Sequence, residues 1–172
     1  MGLLELGIIV VVVGMRVWLH QDYIGNALLA VGWVLGYVLA EADDWFYVAV
    51  CNPQELTCQR IRHEVAAKNW RNAWGLLKST AGERQKLPIH NIITVAVVLA
   101  AGVWLVTSGG NLLAVGLVIG LGLRLFMDFL KDTNIKRWYW VFSREFSLQE
   151  NKIIKIVWSI VLLIQVVFLI RG

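Results

Sequence analysis

Three carboxylates interrupt an apolar run in the first third of the chain. The stretch 36–47 places Glu41, Asp43 and Asp44 at the end of a hydrophobic segment, just before aromatic residues resume. An isolated charge in hydrocarbon is costly, so acidic residues at or inside a membrane span usually face a cation, a polar partner or water. These three residues are therefore the first candidates for a functional site, and the rest of the chain must supply what meets them.

The composition is typical of a membrane protein. Of the 172 residues, 58% are hydrophobic and only 16% are charged, and the mean hydropathy is +0.65. A membrane span must satisfy its backbone hydrogen bonds internally, so we expect an all-α, polytopic helix bundle. We predict one integral membrane domain over residues 1–172, with about five transmembrane helices. These are expected at about 4–20, 24–50, 90–107, 111–131 and 152–170.

The connection between the second and third spans is predicted to hold an amphipathic helical hairpin at about 53–79. Asn52 is a candidate helix cap, followed by a proline that suits the first helical turn. Trp70, Trp74 and Leu77 then form an apolar stripe beneath a basic face. This pattern favours an interfacial helix pair lying against lipid headgroups, and a cytosolic hairpin that packs only on itself is the alternative.

Basic residues are concentrated in two connections. Seven of the 16 Lys and Arg residues lie within 60–86, and six lie within 131–155. The positive-inside rule places both connections in the cytosol. We therefore expect a multi-pass protein of the bacterial inner membrane with a cytosolic N-terminus and an external C-terminus. Cys51 and Cys58 lie in or beside the first of these connections, where a structural disulfide is not expected.

Arg16 lies close to the far end of the first span. Its long side chain is expected to extend to the nearer membrane boundary. The alternative is that Arg16 is buried as a partner for the acidic residues.

The predicted topology brings polar groups from three spans to one depth, at the cytosolic boundary. They are the acids that end the second helix, His90 at the start of the third, and Arg124, Asp128 and Asp132 at the end of the fourth. Glu41 and Asp44 are three residues apart and share a helix face, whereas Asp43 points elsewhere. Carboxylates with an imidazole suit a hard divalent cation, which activates water or polarises a phosphoryl oxygen.

A self-neutralised cluster is the alternative to a metal site. Arg124 and Asp128 are four residues apart on one helix face and can pair with each other. In that case Asp43 and Asp44 face cytosolic water, and His90 is an ordinary interfacial residue.

The order of these features resembles the membrane-bound metal-dependent hydrolases, a family of small bacterial inner-membrane proteins. The resemblance rests on Glu41-Ala-Asp-Asp44, on Ile89-His-Asn-Ile92, and on the glycine-rich segment that ends at Asp128. The family shows an acidic Asp-Ile-Asp-His type motif, a His-Ser motif, and a His a few residues before an Asp. The resemblance covers most of residues 24–142. It implies a divalent metal and hydrolysis of an ester or phosphoester of a lipid-like substrate.

Carried over residue by residue, the resemblance implies that Glu41, Asp43, His90 and Asp128 are metal ligands. For a hydrolase we assign the catalytic positions to Asp44, which could also ligate the metal through oxygen, and to Arg124, which would position the anionic group of the substrate. Three residues depart from the family pattern: Asp44 and Arg124 each stand where a His is usual, and Asn91 replaces the Ser. A guanidinium neither ligates a metal nor loses its proton. Arg124 therefore either holds a phosphate or carboxylate by a bidentate contact or replaces the charge of the metal with its own.

Two functions are favoured on the sequence alone, and conduction of ions or protons through the acid and His cluster is a weaker third. The first is a metal-dependent hydrolase that acts on a lipid-like substrate. The second is a non-catalytic membrane protein in which Arg124 neutralises the acids and the basic connections bind anionic lipid or a protein partner. Membrane lipids are the expected partners in both, and a homo-oligomer or another membrane protein is a further option. No nucleic-acid-binding motif is present, and a net charge of +4 is ordinary for a protein that obeys the positive-inside rule.

Overall fold

Helices account for all the regular secondary structure in the described part of the chain. The structure is a computed structural model that describes residues 3–50, 55–80, 87–132, 135–144 and 146–171, apart from the side chains of residues 3–5, 44, 45 and 47–50. Its elements are α1 (Leu3–Trp18), α2 (Tyr23–Val50), α3 (Leu56–Ala66), α4 (Trp70–Ser79), α5 (Ile92–Thr107), α6 (Leu112–Lys131), a 3₁₀ helix (Ile135–Tyr139) and α7 (Leu148–Arg171). The expected all-α fold is confirmed.

Three helices are long and apolar enough to cross a membrane. They are Tyr23–Asp43 within α2, all of α6 and all of α7. Helices α1 and α5 are apolar but have 16 residues each, which is about 24 Å of helix against a hydrocarbon core of about 30 Å. The chain therefore has the helices of a membrane protein, and a total of five spans stays a prediction.

Helices α2 and α6 run parallel and approach each other through glycines. Each helix contributes two glycines spaced four residues apart: Gly32 and Gly36 from α2, Gly116 and Gly120 from α6. A Cβ atom at any of these positions would overlap a backbone carbonyl of the facing helix. Small residues four apart on a helix are typical of closely packed membrane helices, and the structure identifies α6 as the partner of α2.

The start of α5 lies beside the end of α6 because the chain reverses between these two helices. Gly109 allows the reversal by adopting the left-handed conformation, with φ of 65°. Asn91 caps the start of α5, where its side chain accepts a hydrogen bond from the backbone N–H of Thr94. The residues before α5 are thereby brought to the ends of α2 and α6.

Helices α3 and α4 pack on each other through Ile61 and Leu77, which are both fully buried. They fall within the predicted range 53–79. The predicted cap at Asn52 lies outside the described residues.

Cys58 is disulfide-bonded, so the expectation that no disulfide forms here is wrong; Cys51 lies outside the described residues. Disulfides persist in oxidising compartments. The disulfide therefore favours the outer side of the membrane for residues 51–91. The basic composition of the same connection favours the cytosolic side.

Arg16 is buried within the protein, with only 5% of its surface exposed. Its Nε donates to Oδ1 of Asn26 at 2.8 Å, and Nη1 donates to the carbonyl oxygen of Leu169. The expectation that Arg16 reaches the membrane boundary stays a prediction. The alternative, a buried partner for the acidic residues, is wrong, because the partners of Arg16 are on α2 and α7 at the end of the molecule opposite to the acids.

Replacing Gly32 by Ala is expected to lower the free energy of unfolding by about 1–3 kcal/mol, because the added methyl group forces the backbones of α2 and α6 apart. Gly14→Ala in α1 is the matched control, since nothing lies within 4 Å of a Cβ at that position. Helix propensity alone makes this control neutral or stabilising. The free energy of unfolding of both variants can be measured in mixed micelles. Equal values for the two variants would contradict the close contact between α2 and α6.

Candidate functional site

The carboxylate of Asp43 is fully buried and accepts several hydrogen bonds from the segment before α5. The backbone N–H of Ile89 donates to both of its oxygens, at 3.0 and 2.9 Å. The backbone N–H of His90 donates to Oδ2 at 2.8 Å, and Nδ1 of the same residue lies 2.9 Å from that oxygen. These contacts tie α2 to the start of α5 and satisfy a charge that would otherwise be costly to bury.

His90 bridges two carboxylates. While Nδ1 faces Asp43, Nε2 lies 3.4 Å from Oδ2 of Asp128, and the ring meets Trp138 edge to face at a centroid distance of 5.3 Å. Burial by itself lowers the pKa of His90, but the hydrogen bonds and negative charges of Asp128 and Asp43 together outweigh burial and raise the pKa. The protonated ring donates from both nitrogens, which matches its two acidic neighbours.

Arg124 lies between Asp128 and Glu41. Its Nε is 3.1 Å from Oδ2 of Asp128, and Nη2 is 3.9 Å from Oε1 of Glu41. The guanidinium also covers the ring of Tyr37 at 4.6 Å and donates to its hydroxyl at 3.1 Å. On the outer side, Lys78 of α4 reaches Oε1 of Glu41 at 3.1 Å.

We define the charged cluster as the three carboxylates and three bases of this network: Glu41, Asp43, Asp128, His90, Arg124 and Lys78. With His90 protonated, the three negative and three positive charges cancel. Along the network the signs alternate from buried Asp43 to Lys78, whose side chain is 45% exposed. The cluster therefore needs no added cation for neutrality.

A cavity of about 130 Å³ opens beside the charged cluster. Its polar lining comprises Glu41, Lys78, His90, Arg124, Asp128 and Arg137, and its apolar lining is Ala40 and Leu87. Asp43 lies behind His90 and does not line the cavity. Three permanent cations thus face two carboxylates there, although Arg137 also forms an ion pair with Asp132.

Five of the six predicted site residues come together in the cluster. Asp44, the sixth, has a side chain outside the described residues. The Arg124–Asp128 pair is confirmed, and Asp43 points away from Glu41 as predicted, but towards His90 and not towards water. The location of His90 between two acids also shows that it is not an ordinary interfacial residue.

Sequence reasoning missed three residues at this site. Tyr37 precedes Glu41 by one helical turn, so their shared face was a usable signal. Lys78 and Arg137 carry no comparable signal, because their positions depend on how α4 and the 3₁₀ helix pack against the bundle.

The predicted metal ligands contact one another and Arg124 in this arrangement, and a divalent ion among them stays a prediction. Both oxygens of Asp43 already accept hydrogen bonds, both nitrogens of His90 face carboxylates, and Arg124 holds Asp128. An ion at Asp128 would lie against a guanidinium. Within the described ranges, no group of three or more His, Cys, Asp and Glu side chains is arranged to hold a metal.

No protein-family model, curated protein or solved structure matches the chain. The resemblance to membrane-bound metal-dependent hydrolases therefore stays a prediction from the sequence.

The raised pKa of His90 makes the stability of the protein depend on pH. Its contribution is fully present below the unfolded value of about 6.5 and is lost as the pH rises through the higher folded value. Melting temperatures from pH 5.5 to 9 are expected to fall on the alkaline side in the wild type. His90→Gln removes the titrating group, so an identical pH profile in this variant would contradict the bridged imidazolium.

Asp43→Asn is expected to cost about 3 kcal/mol, because an amide cannot accept all the hydrogen bonds that the buried carboxylate accepts. Glu41→Gln is the matched variant on the same helix and removes a partly exposed ion pair, which is worth about 1 kcal/mol or less. Chemical unfolding of both variants compares these losses. Equal losses would show that Asp43 does not hold the site together.

Proposed function

We propose that the chain is a multi-span membrane protein that binds the anionic group of a lipid-like molecule beside the charged cluster, without a metal and without catalysis. The observation that carries this proposal is the lining of the cavity, where Lys78, Arg124 and Arg137 outnumber two carboxylates. A protonated His90 adds a further positive charge. An anion entering this cavity meets the N–H donors of these bases, although Arg137 is also paired with Asp132.

The size of the cavity limits the ligand to a small group. A volume of about 130 Å³ is below the roughly 300–1,000 Å³ of a site for a whole drug-sized ligand. A phosphate or carboxylate fits this scale, and the planar guanidinium of Arg124 suits either. The remainder of the ligand would lie outside the cavity.

The position at the ends of apolar helices favours a lipid as the source of the anion. The apolar part of α2 ends at the cluster, and α6 reaches the same level through Arg124 and Asp128. A headgroup anion can enter the cavity here while its acyl chain stays against apolar helix surface, such as the exposed Val38. Basic residues near an anionic membrane surface add about 1 kcal/mol each to such binding.

Hydrolysis is the second candidate function. It is favoured by the buried Asp43, which orients His90 as a carboxylate orients a catalytic imidazole. A protonated His90 can act as a general acid, with Arg124 positioning the anionic group. Turnover of phosphoesters or lipid esters that is lost in His90→Gln would favour this function over binding alone.

We further propose five spans in the bacterial inner membrane, with α1 and α5 crossing beside α2, α6 and α7. The basic connections at 60–86 and 131–155 then lie in the cytosol. An odd number of spans with a cytosolic N-terminus leaves the C-terminus outside.

A reporter fused after Arg171 tests this orientation. Alkaline phosphatase is expected to be active there, and a green fluorescent protein is expected to stay dark, because each folds on only one side of the inner membrane. The reverse result would place residues 51–91 outside, in agreement with the disulfide at Cys58.

Arg124→Gln is expected to weaken binding of phosphatidylglycerol by roughly ten- to a hundredfold, because one charge-assisted contact is worth roughly 1.5–3 kcal/mol. Arg144→Gln is the matched control: Arg144 lies outside the cavity, in the basic connection that also holds Arg137, and its side chain is 64% exposed. Native mass spectrometry in a neutral detergent measures both affinities. An equal loss in both variants, or no loss in Arg124→Gln, would contradict binding in the cavity.

A further inference from the structure

A second buried cation lies at the other end of the bundle. Arg16 is 5% exposed, and its hydrogen bonds go to the side chain of Asn26 and to the carbonyl oxygen of Leu169. Both partners are neutral. Among the described residues no carboxylate pairs with Arg16, in contrast to the alternating charges of the charged cluster.

The neighbour of Arg16 also has an unused donor. Asn26 is 3% exposed, and its Nδ2 has no hydrogen-bond partner among the described residues. Its Oδ1 accepts from Arg16, which fixes the orientation of the amide. A buried positive charge favours an anionic partner, and the buried N–H of Asn26 favours a hydrogen-bond acceptor close to it.

A cavity of about 360 Å³ is present beside Arg16. The first residue of α6, Leu112, lines it, so the positive end of a 20-residue helix adds to the field of the guanidinium. The remaining walls are mostly apolar and include Leu105, Val115 and Phe168. Phe168 is 51% exposed on α7, so this wall continues onto the outer surface of the bundle.

One cationic wall and several apolar walls suit an amphiphile with a single anionic group. The volume lies within the usual range for sites that enclose a ligand of moderate size. We propose that this cavity binds the headgroup phosphate of an anionic phospholipid, with Arg16 as its charge partner and the acyl chains leaving past Phe168. This site shares no residue with the charged cluster and lies at the opposite membrane boundary.

Arg16 also has a structural role, because it and Gln21 satisfy the last carbonyls of α7. Nε2 of Gln21 donates to the carbonyl oxygen of Ile170 at 3.2 Å. Helix capping requires the N–H donors but does not require the cavity. Loss of lipid binding in the cavity must therefore be distinguished from loss of the hydrogen bonds that cap α7.

Native mass spectrometry with phosphatidylglycerol, in a neutral detergent, provides this test on the full chain. Arg16→Gln is expected to raise the dissociation constant of one bound lipid at least tenfold. Arg171→Gln removes an exposed charge at the same end of α7 and is expected to change that dissociation constant by no more than about twofold. Val106→Phe narrows the cavity without touching the guanidinium and is expected to weaken binding of the same lipid. Arg124→Gln should leave this binding unchanged, which separates the site from the one at the charged cluster.

Three results would overturn the proposal. One is unchanged binding in Arg16→Gln or, if that variant does not fold, in Val106→Phe. The second is an equal loss in Arg171→Gln, which would indicate general attraction of anions to this end of the molecule. The third is displacement of the lipid by millimolar inorganic phosphate, which would identify a site for free anions and not for a lipid.

Discussion

Burial of the Asp43 carboxylate imposes the geometry of the site. An ionised carboxylate that is completely removed from water must be surrounded by donors, and the segment before α5 supplies them from its backbone and from His90. This requirement holds the imidazole in one orientation, directed at Asp128. The position of Asp128 then depends on the glycine contact between α2 and α6. This contact brings the two parallel helices close enough for Arg124 to reach both Glu41 and Asp128.

The position of Arg124 decides what kind of chemistry the cluster supports. A histidine there would add a ligand to three acids and favour a divalent ion, as in the family that the sequence resembles. A guanidinium instead provides a permanent positive charge that pairs with Asp128 and stacks on Tyr37. This arrangement of helices thus places a guanidinium, and not a further metal ligand, beside Asp128.

The meeting of Glu41, His90 and Asp128 at one end of the bundle could be predicted from the sequence, whereas their other partners could not. The expected alternation of the helices was sufficient for this prediction, and the depth of these residues in a membrane stays a prediction. The location of Lys78 depends on the packing of α4, which no periodicity reveals. Arg16 was expected at the boundary because a long side chain usually extends to water, but the carbonyls at the end of α7 and the amide of Asn26 provide a buried alternative. The spacing of Gly32 and Gly36 is a sequence signal for a close helix contact, but only the structure could identify α6 as the partner.

Metal content of the purified protein tests the central claim most directly, namely that Arg124 supplies the charge that neutralises the acids. Elemental mass spectrometry of protein purified without chelator is expected to find no stoichiometric divalent metal. The melting temperature is expected to be unchanged by a chelator or by added Mg²⁺, Mn²⁺ or Zn²⁺. About one metal ion per chain, with a lower melting temperature after its removal, would contradict the self-neutralised cluster and place an ion among Glu41, Asp43, His90 and Asp128.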